Sequence, residues 1–190
     1  MHHHTLSPRR LTGVAALACA AALAPAAALA GPASPAAPAA AVTPRCATSG
    51  LVVWMNTQGD GAAGSIYYTL KFTNLSGHAC TLRGYPGVSA VSLSGHQLGS
   101  PARWGTPAAT AVRLASGATA YAVLQYSDVV TSGSGPQPCD AVTAAGLRVY
   151  PPDQTASKIV PFPLKACTRS GLVYLGVAPV QKAPPPGQRP

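Results

Sequence analysis

The chain has 190 residues, of which 47% are hydrophobic and only 9% charged, and its 13 Lys and Arg against 4 acids give a net charge of +9. That length bounds it to one ordinary domain with appendages. Beyond Arg9-Arg10 the basic residues stand singly, so no stripe is dense enough to neutralise adjacent phosphates, which argues against a nucleic-acid binder. The acids are all Asp, at 60, 128, 140 and 153, a poor starting set for a paired-carboxylate glycosidase.

The first thirty residues read as a signal peptide. MHHHTLSPRR is a basic n-region, LTGVAALACAAALA an apolar run, and Ala28-Leu29-Ala30 a small-x-small cleavage pattern. The run is short of the roughly 20 apolar residues of a membrane span and Pro25 follows it, so no integral membrane segment is expected after its removal. Arg9-Arg10 raises a twin-arginine route, but the flanks favour general secretion. Cys19 raises lipid anchoring, with Leu17 one place too near the cysteine for a good lipoprotein signal. Residues 31–45, GPASPAAPAAAVTPR, form a Pro/Ala-rich spacer with nothing to bury and are expected to be disordered. A similar tail occupies 181–190, which leaves a folded domain over 46–180.

Within that domain short β-prone runs recur between Gly, Pro, Ser and Asn: LVVWM (51–55), GSIYYTLKFTN (64–74), GVSAVSL (87–93), TAVRL (110–114), ATAYAVLQYS (118–127), LRVYP (147–151), SKIVPF (157–162) and LVYLGV (172–177). In the second run Ile66, Tyr68, Leu70 and Phe72 alternate with Tyr67, Thr69, Lys71 and Thr73, the period of two of a strand with one buried face. This spacing predicts an all-β fold, an antiparallel, immunoglobulin-like β-sandwich of about seven to eight strands. A single helical turn is predicted at 140–145, where Ala-rich sequence follows Cys139. Trp54, inside an apolar run, is predicted in the core.

Four cysteines follow the signal: Cys46, Cys80, Cys139 and Cys167. Three pairings are open to them, and bonding between neighbours, Cys46 with Cys80 and Cys139 with Cys167, is the expected one. Their wide spacing lacks the C-x2-C pairs of a zinc site or a redox motif, so no metal and no cofactor is expected, and disulfides in an oxidising compartment are.

FTNLSGHACTLRGYPGVS (72–89) gathers Asn74, Ser76, Gly77, His78, Cys80 and a Tyr85-Pro86-Gly87-Val88 segment. Asn and Ser side chains bond nearby backbone and Gly takes positive φ, so the stretch reads as a corner, with Gly87 at the left-handed position of a type II turn. With VRLASGATAYAVLQYS and LRVYPP, this run resembles the secreted actinobacterial family known as domain of unknown function 4232, over residues 46 to about 177. The resemblance implies an exported β-sandwich with paired cysteines, and no activity.

Candidate contact residues are few. His78 sits in the corner and His96 after Gly95 in a predicted hairpin turn; both are expected to be exposed. Trp104 lies in the Pro/Gly-rich SPARWGTPAAT beside Arg103, and an exposed aromatic next to an arginine makes a good contact pair. Without a G-x-S-x-G elbow or other nucleophile motif, the chain is expected not to be an enzyme. The reading is a secreted, non-catalytic binding or interaction module of the cell envelope or medium, its partner an extracellular polymer or protein met through loops 95–109 and 127–139. The alternative is a partner or inhibitor of an extracellular enzyme, with a hydrolase third.

Overall fold

The structure, a computed structural model, describes residues 42–131 and 139–186. They fall in Ala40–Pro190, the larger of two compact units into which the chain divides. The signal peptide, the spacer through Ala41 and the last four residues of the tail lie outside the described residues.

The described chain is an antiparallel β-sandwich of twelve strands: β1 (Leu51–Met55), β2 (Asp60–Ala62), β3 (Ser65–Asn74), β4 (Cys80–Arg83), β5 (Gly87–Val91), β6 (Gln97–Leu98), β7 (Arg103–Trp104), β8 (Ala111–Leu114), β9 (Thr119–Tyr126), β10 (Ala141–Tyr150), β11 (Lys158–Cys167) and β12 (Leu175–Val177). One sheet runs β1-β3-β9-β12-β7 with β2 also on β3, a second runs β11-β10-β5-β6, and β4 pairs with β8. Among the described strands β12 and β7 pair in parallel, as does the isolated bridge between Arg45 and Thr81. Between the sheets lie Leu70, Phe72, Ala120, Ala122, Leu124 and Leu175 from the first and Val88, Ala90, Leu147, Val149 and Val160 from the second, all buried. Tyr68 meets Phe162 edge to face across this core, ring centroids 4.9 Å apart.

Eight strands coincide with the predicted runs, and β2, β4, β6 and β7 are additional. The β2–β3 hairpin closes through Ala63 and Gly64, both at positive φ (49° and 75°), between the paired Ala62 and Ser65. A tight hairpin needs positive φ at both central residues, and alanine there carries no signal of it. The predicted helical turn at 140–145 is instead the start of β10. Val142 and Thr143 are β-branched, and the register Ala141↔Cys167 is pinned beside the Cys139–Cys167 disulfide. Helical turns among the described residues lie elsewhere, a 3-10 turn at Thr48–Gly50 and one α-helical turn at Asp128–Thr131 (α1).

Both disulfides join neighbours, Cys46 to Cys80 and Cys139 to Cys167. The first ties the N-terminal segment to β4: Thr81 donates its N–H to Pro44 O at 2.8 Å and accepts from Cys46 N at 3.0 Å. Paired backbone therefore extends to Pro44 at one end and, through Gln181 bridged to Tyr121, past 180 at the other. Edge strand β11 carries exposed Pro161 and Pro163, which remove donors from an edge that another chain would otherwise extend.

Two predictions about faces are corrected. β3 is buried on both sides at its centre, with Thr69 1% and Lys71 2% exposed, because β1 and β9 flank it and their outward side chains close over it. Trp54 is not core. Leu51 and Met55 point inward, so Trp54 takes the opposite face at 42% exposure, its ring 4.1 Å from the Lys71 ammonium.

Candidate functional site

The stretch 72–89 is a structural joint, and Asn74 is its pin. Its side chain is fully buried; Nδ2 donates to His78 O at 2.8 Å and to Leu114 O and Ala115 O, each at 3.2 Å. Its Oδ1 accepts from Ser76 N at 3.0 Å and Ser76 Oγ at 2.7 Å. Gly77 takes φ 81° in this corner. The left-handed glycine of the second half is Gly84, at φ 116°, whereas Gly87 already opens β5. Pro86 therefore leads straight into a strand and forms no type II turn with Gly87. His78 is exposed and contributes its carbonyl to the joint. His96 is exposed too, in the β5–β6 hairpin, its Nδ1 3.2 Å from Ser94 Oγ.

Arg103 and Trp104 belong to a different place. They form β7, the last strand of the six-stranded sheet, held by the pairs Gly176↔Arg103 and Val177↔Trp104 and by Gly105 N donating to Val177 O at 2.9 Å. Residues paired across neighbouring strands project to the same side of a sheet. The row Asp60–Tyr67–Gln125–Gly176–Arg103 therefore crosses five strands on the face away from the core.

The missing side chain of Gly176 leaves a gap in that row. Here a groove of about 410 Å³ opens, lined by Tyr67, Arg103, Trp104, Val123, Gln125 and Ala178 among others, a size that suits a small ligand or one unit of a polymer. A Cβ on Gly176 would sit 3.2 Å from Gln125 Oε1. Gln125 donates from Nε2 to Ser65 Oγ at 3.1 Å, which directs the amide and leaves Oε1 as an acceptor towards the groove. Tyr174 lies beneath, its hydroxyl donating to Leu98 O at 3.1 Å, and burial, then neighbouring Tyr126, raises its pKa above the ordinary 10.0.

Trp104 is 61% exposed yet held in place. Its ring stacks on Tyr85 with centroids 5.5 Å apart and planes 14° from parallel, and the Tyr85 hydroxyl donates to Pro107 O. One indole face is spent on Tyr85. Among the described residues no carboxylate pairs with the Arg103 guanidinium, and no group of three or more His, Cys, Asp or Glu is placed to hold a metal.

Arg103 and Trp104 are consecutive residues of β7, in a different element from the corner of His78. Tyr67, Gln125 and Gly176 were missed as groove residues. A row across five strands has no signature along the chain, although the alternation within β3 set Tyr67 on the side opposite Ile66 and Tyr68. The groove also opens on a sheet face, whereas loops at the sandwich end were expected; residues 132–138 of the second expected loop lie outside the described residues.

A family model described as Domain of unknown function (DUF4232) matches residues 46–181. The chain belongs to the DUF4232 family. The match spans both disulfides, the Asn74 joint and the whole groove, so these are parts of one DUF4232 domain. No curated protein and no solved structure matches the chain. No helix among the described residues is long and apolar enough to cross a membrane.

Proposed function

We propose that this DUF4232 domain is a secreted, non-catalytic binding module that holds an extracellular ligand at the β7 edge of the six-stranded sheet, where Arg103, Gln125 and Tyr67 face outward and Trp104 stands at the rim. The observation that carries the reading is Trp104: a large aromatic, exposed yet backed by Tyr85, costs little further entropy when a ligand covers it. Two disulfides fit an oxidising compartment, in keeping with the signal peptide read from the sequence. No His, Asp, Glu or Cys lines the groove among the described residues, and the acid–base side chains it does carry are the phenols of Tyr67 and Tyr174.

The test is retention of the exported domain on peptidoglycan, on teichoic acid and on immobilised secreted proteins, with Trp104→Ala alongside. Retention that the substitution removes, at unchanged stability, is the expected result. Equal retention of both proteins, or of neither, sinks the reading. A partner or inhibitor role is the second reading, favoured by the open outer edge of β7. It requires a protein that co-purifies stoichiometrically from the medium.

A further inference from the structure

Apart from the groove at β7, we propose that the outward face of the small sheet formed by residues 44–46, β4 and β8 binds a flexible phosphate-bearing polymer through Arg45, Arg83 and Arg113. These arginines stand singly in the chain. Strand pairing collects them: Arg45 lies opposite Thr81 across a parallel bridge, and Thr81 lies opposite Arg113 in the β4–β8 ladder. Paired residues share a face, and so do residues two apart along a strand, which adds Arg83 and its partner Ala111. Burial sorts the same way, with Cys46, Cys80, Leu82, Val112 and Leu114 buried beneath and the three arginines and Ala111 exposed. The Cys46–Cys80 disulfide adjoins both members of the Arg45–Thr81 bridge and holds the outer strand in place.

With strands about 4.8 Å apart and a rise of about 3.3 Å per residue, the three Cα atoms form a triangle with sides of about 8 to 10 Å, Thr81 at the middle of one side. A groove of about 350 Å³ opens here, lined by Arg45, Arg83, Thr43, Thr81, Ala111 and Asp153 among others. Arg113 reaches it across β4, its Nε donating to Thr43 Oγ1 at 3.3 Å and so spending one of its five N–H donors. Asp153, 3.6 Å from Arg45, is the one carboxylate paired with these arginines among the described residues. Both partners are exposed, so the pair yields readily to a competing anion. Three guanidiniums against one carboxylate leave the face positive.

Guanidiniums match phosphate with parallel N–H donors. A triangle requires successive anions to turn a corner, which phosphates joined by acyclic links can do and carboxylates fixed on a stiff chain of sugar rings cannot. No aromatic side chain lines this groove among the described residues, so the bases of a single-stranded nucleic acid would find nothing to stack on.

The test is calorimetric titration of the exported domain with poly(glycerol phosphate), and with orthophosphate, polygalacturonate and phosphatidylglycerol vesicles for comparison. The polymer is expected to bind more tightly than any of these at equal anion concentration, and to be released by salt. Arg45→Gln, Arg83→Gln and Arg113→Gln are each expected to weaken it about tenfold, the worth of one charge-assisted pair, at an unchanged urea midpoint. Asp153→Asn removes the competing carboxylate, in a residue type that accepts the φ of 58° found there, and is expected to tighten binding severalfold. Lys165→Gln, which removes an equal charge from exposed β11, is expected to leave the affinity as it was.

Absence of polymer binding, or a loss from Lys165→Gln as large as those from the arginines, overturns the site. Orthophosphate binding as tightly overturns the polymer assignment, polygalacturonate binding as tightly overturns the phosphate assignment, and tighter retention on the vesicles gives the face to a lipid surface instead. Loss of polymer binding on Trp104→Ala moves the polymer to the groove at β7. The two sites share no lining residue, so failure here leaves the reading of that groove standing.

Discussion

Replacing Asn74 by alanine removes the side chain that holds the 72–89 corner, and its cost follows from the bonds it makes. Two N–H groups serve three carbonyls, so one bond is shared, and two further bonds reach Oδ1 from Ser76. Four bonds at about 1 kcal/mol each give about 4 kcal/mol. The half-buried Ser76 hydroxyl has a second acceptor in His78 O at 3.1 Å, which recovers part of one of them. Leu114 O, by contrast, loses its side-chain donor within the buried joint. The expected loss is about 3 kcal/mol, a large share of the roughly 5–15 kcal/mol of an ordinary domain. Urea unfolding followed by circular dichroism measures it. Asn74→Asp keeps the acceptor but turns an oxygen towards three carbonyl oxygens, so it is expected to cost at least as much, and Ser76→Ala about 1 kcal/mol or less. An Asn74→Ala loss below about 1 kcal/mol, or one matched by Ser76→Ala, refutes the assignment of Asn74 as the pin.

Removing the Cys46–Cys80 or the Cys139–Cys167 bridge by paired alanine substitution is expected to cost about 3.8 or 3.6 kcal/mol in the chain-entropy model for separations of 34 and 28 residues, read as a lower urea midpoint. Tyr174 has a folded pKa raised above 10.0 by burial and then by Tyr126, so above pH 10 the unfolded chain gives up a proton that the folded chain keeps. Stability is therefore intact below pH 10 and falls as pH rises beyond it, and Tyr174→Phe is expected to flatten that alkaline slope; an unchanged slope rules the attribution out. Gly176→Ala places a methyl group 3.2 Å from the end of the exposed, flexible Gln125 side chain. It is expected to leave stability within about 1 kcal/mol and to weaken ligand retention severalfold, and unaltered retention would show that the ligand does not enter the gap. Gly99→Ala is the contrasting glycine change: at φ 64° its Cβ would lie 2.0 Å from Cys167 backbone oxygen, and little folded protein is expected by circular dichroism.

Much of the fold was legible because strands write their burial into the chain with a period of two. β1 and β3 emerged within a residue of their observed bounds, and the corner at Asn74 was readable because its turn chemistry is local. Failures came where a partner strand overrode local composition. The Ala-rich start of β10 is a strand because β11 lies alongside it, and Trp54 faces outward because Leu51 and Met55 claim the core.

Local pattern along the chain was enough to specify an all-β domain with four cysteines positioned to bridge neighbours, and it shows an arginine and a tryptophan side by side in a Gly/Pro-rich segment. Alternation, turn residues and cysteine spacing are properties of one strand at a time, so a single chain displays them. Strand pairing and sheet packing made Arg103 and Trp104 an edge strand, set Tyr85 behind the indole, and opened a groove at Gly176 against Tyr67 and Gln125. Those relations join residues from 19 positions apart, Tyr85 and Trp104, to 109, Tyr67 and Gly176, and they exist only once the strands have paired and packed.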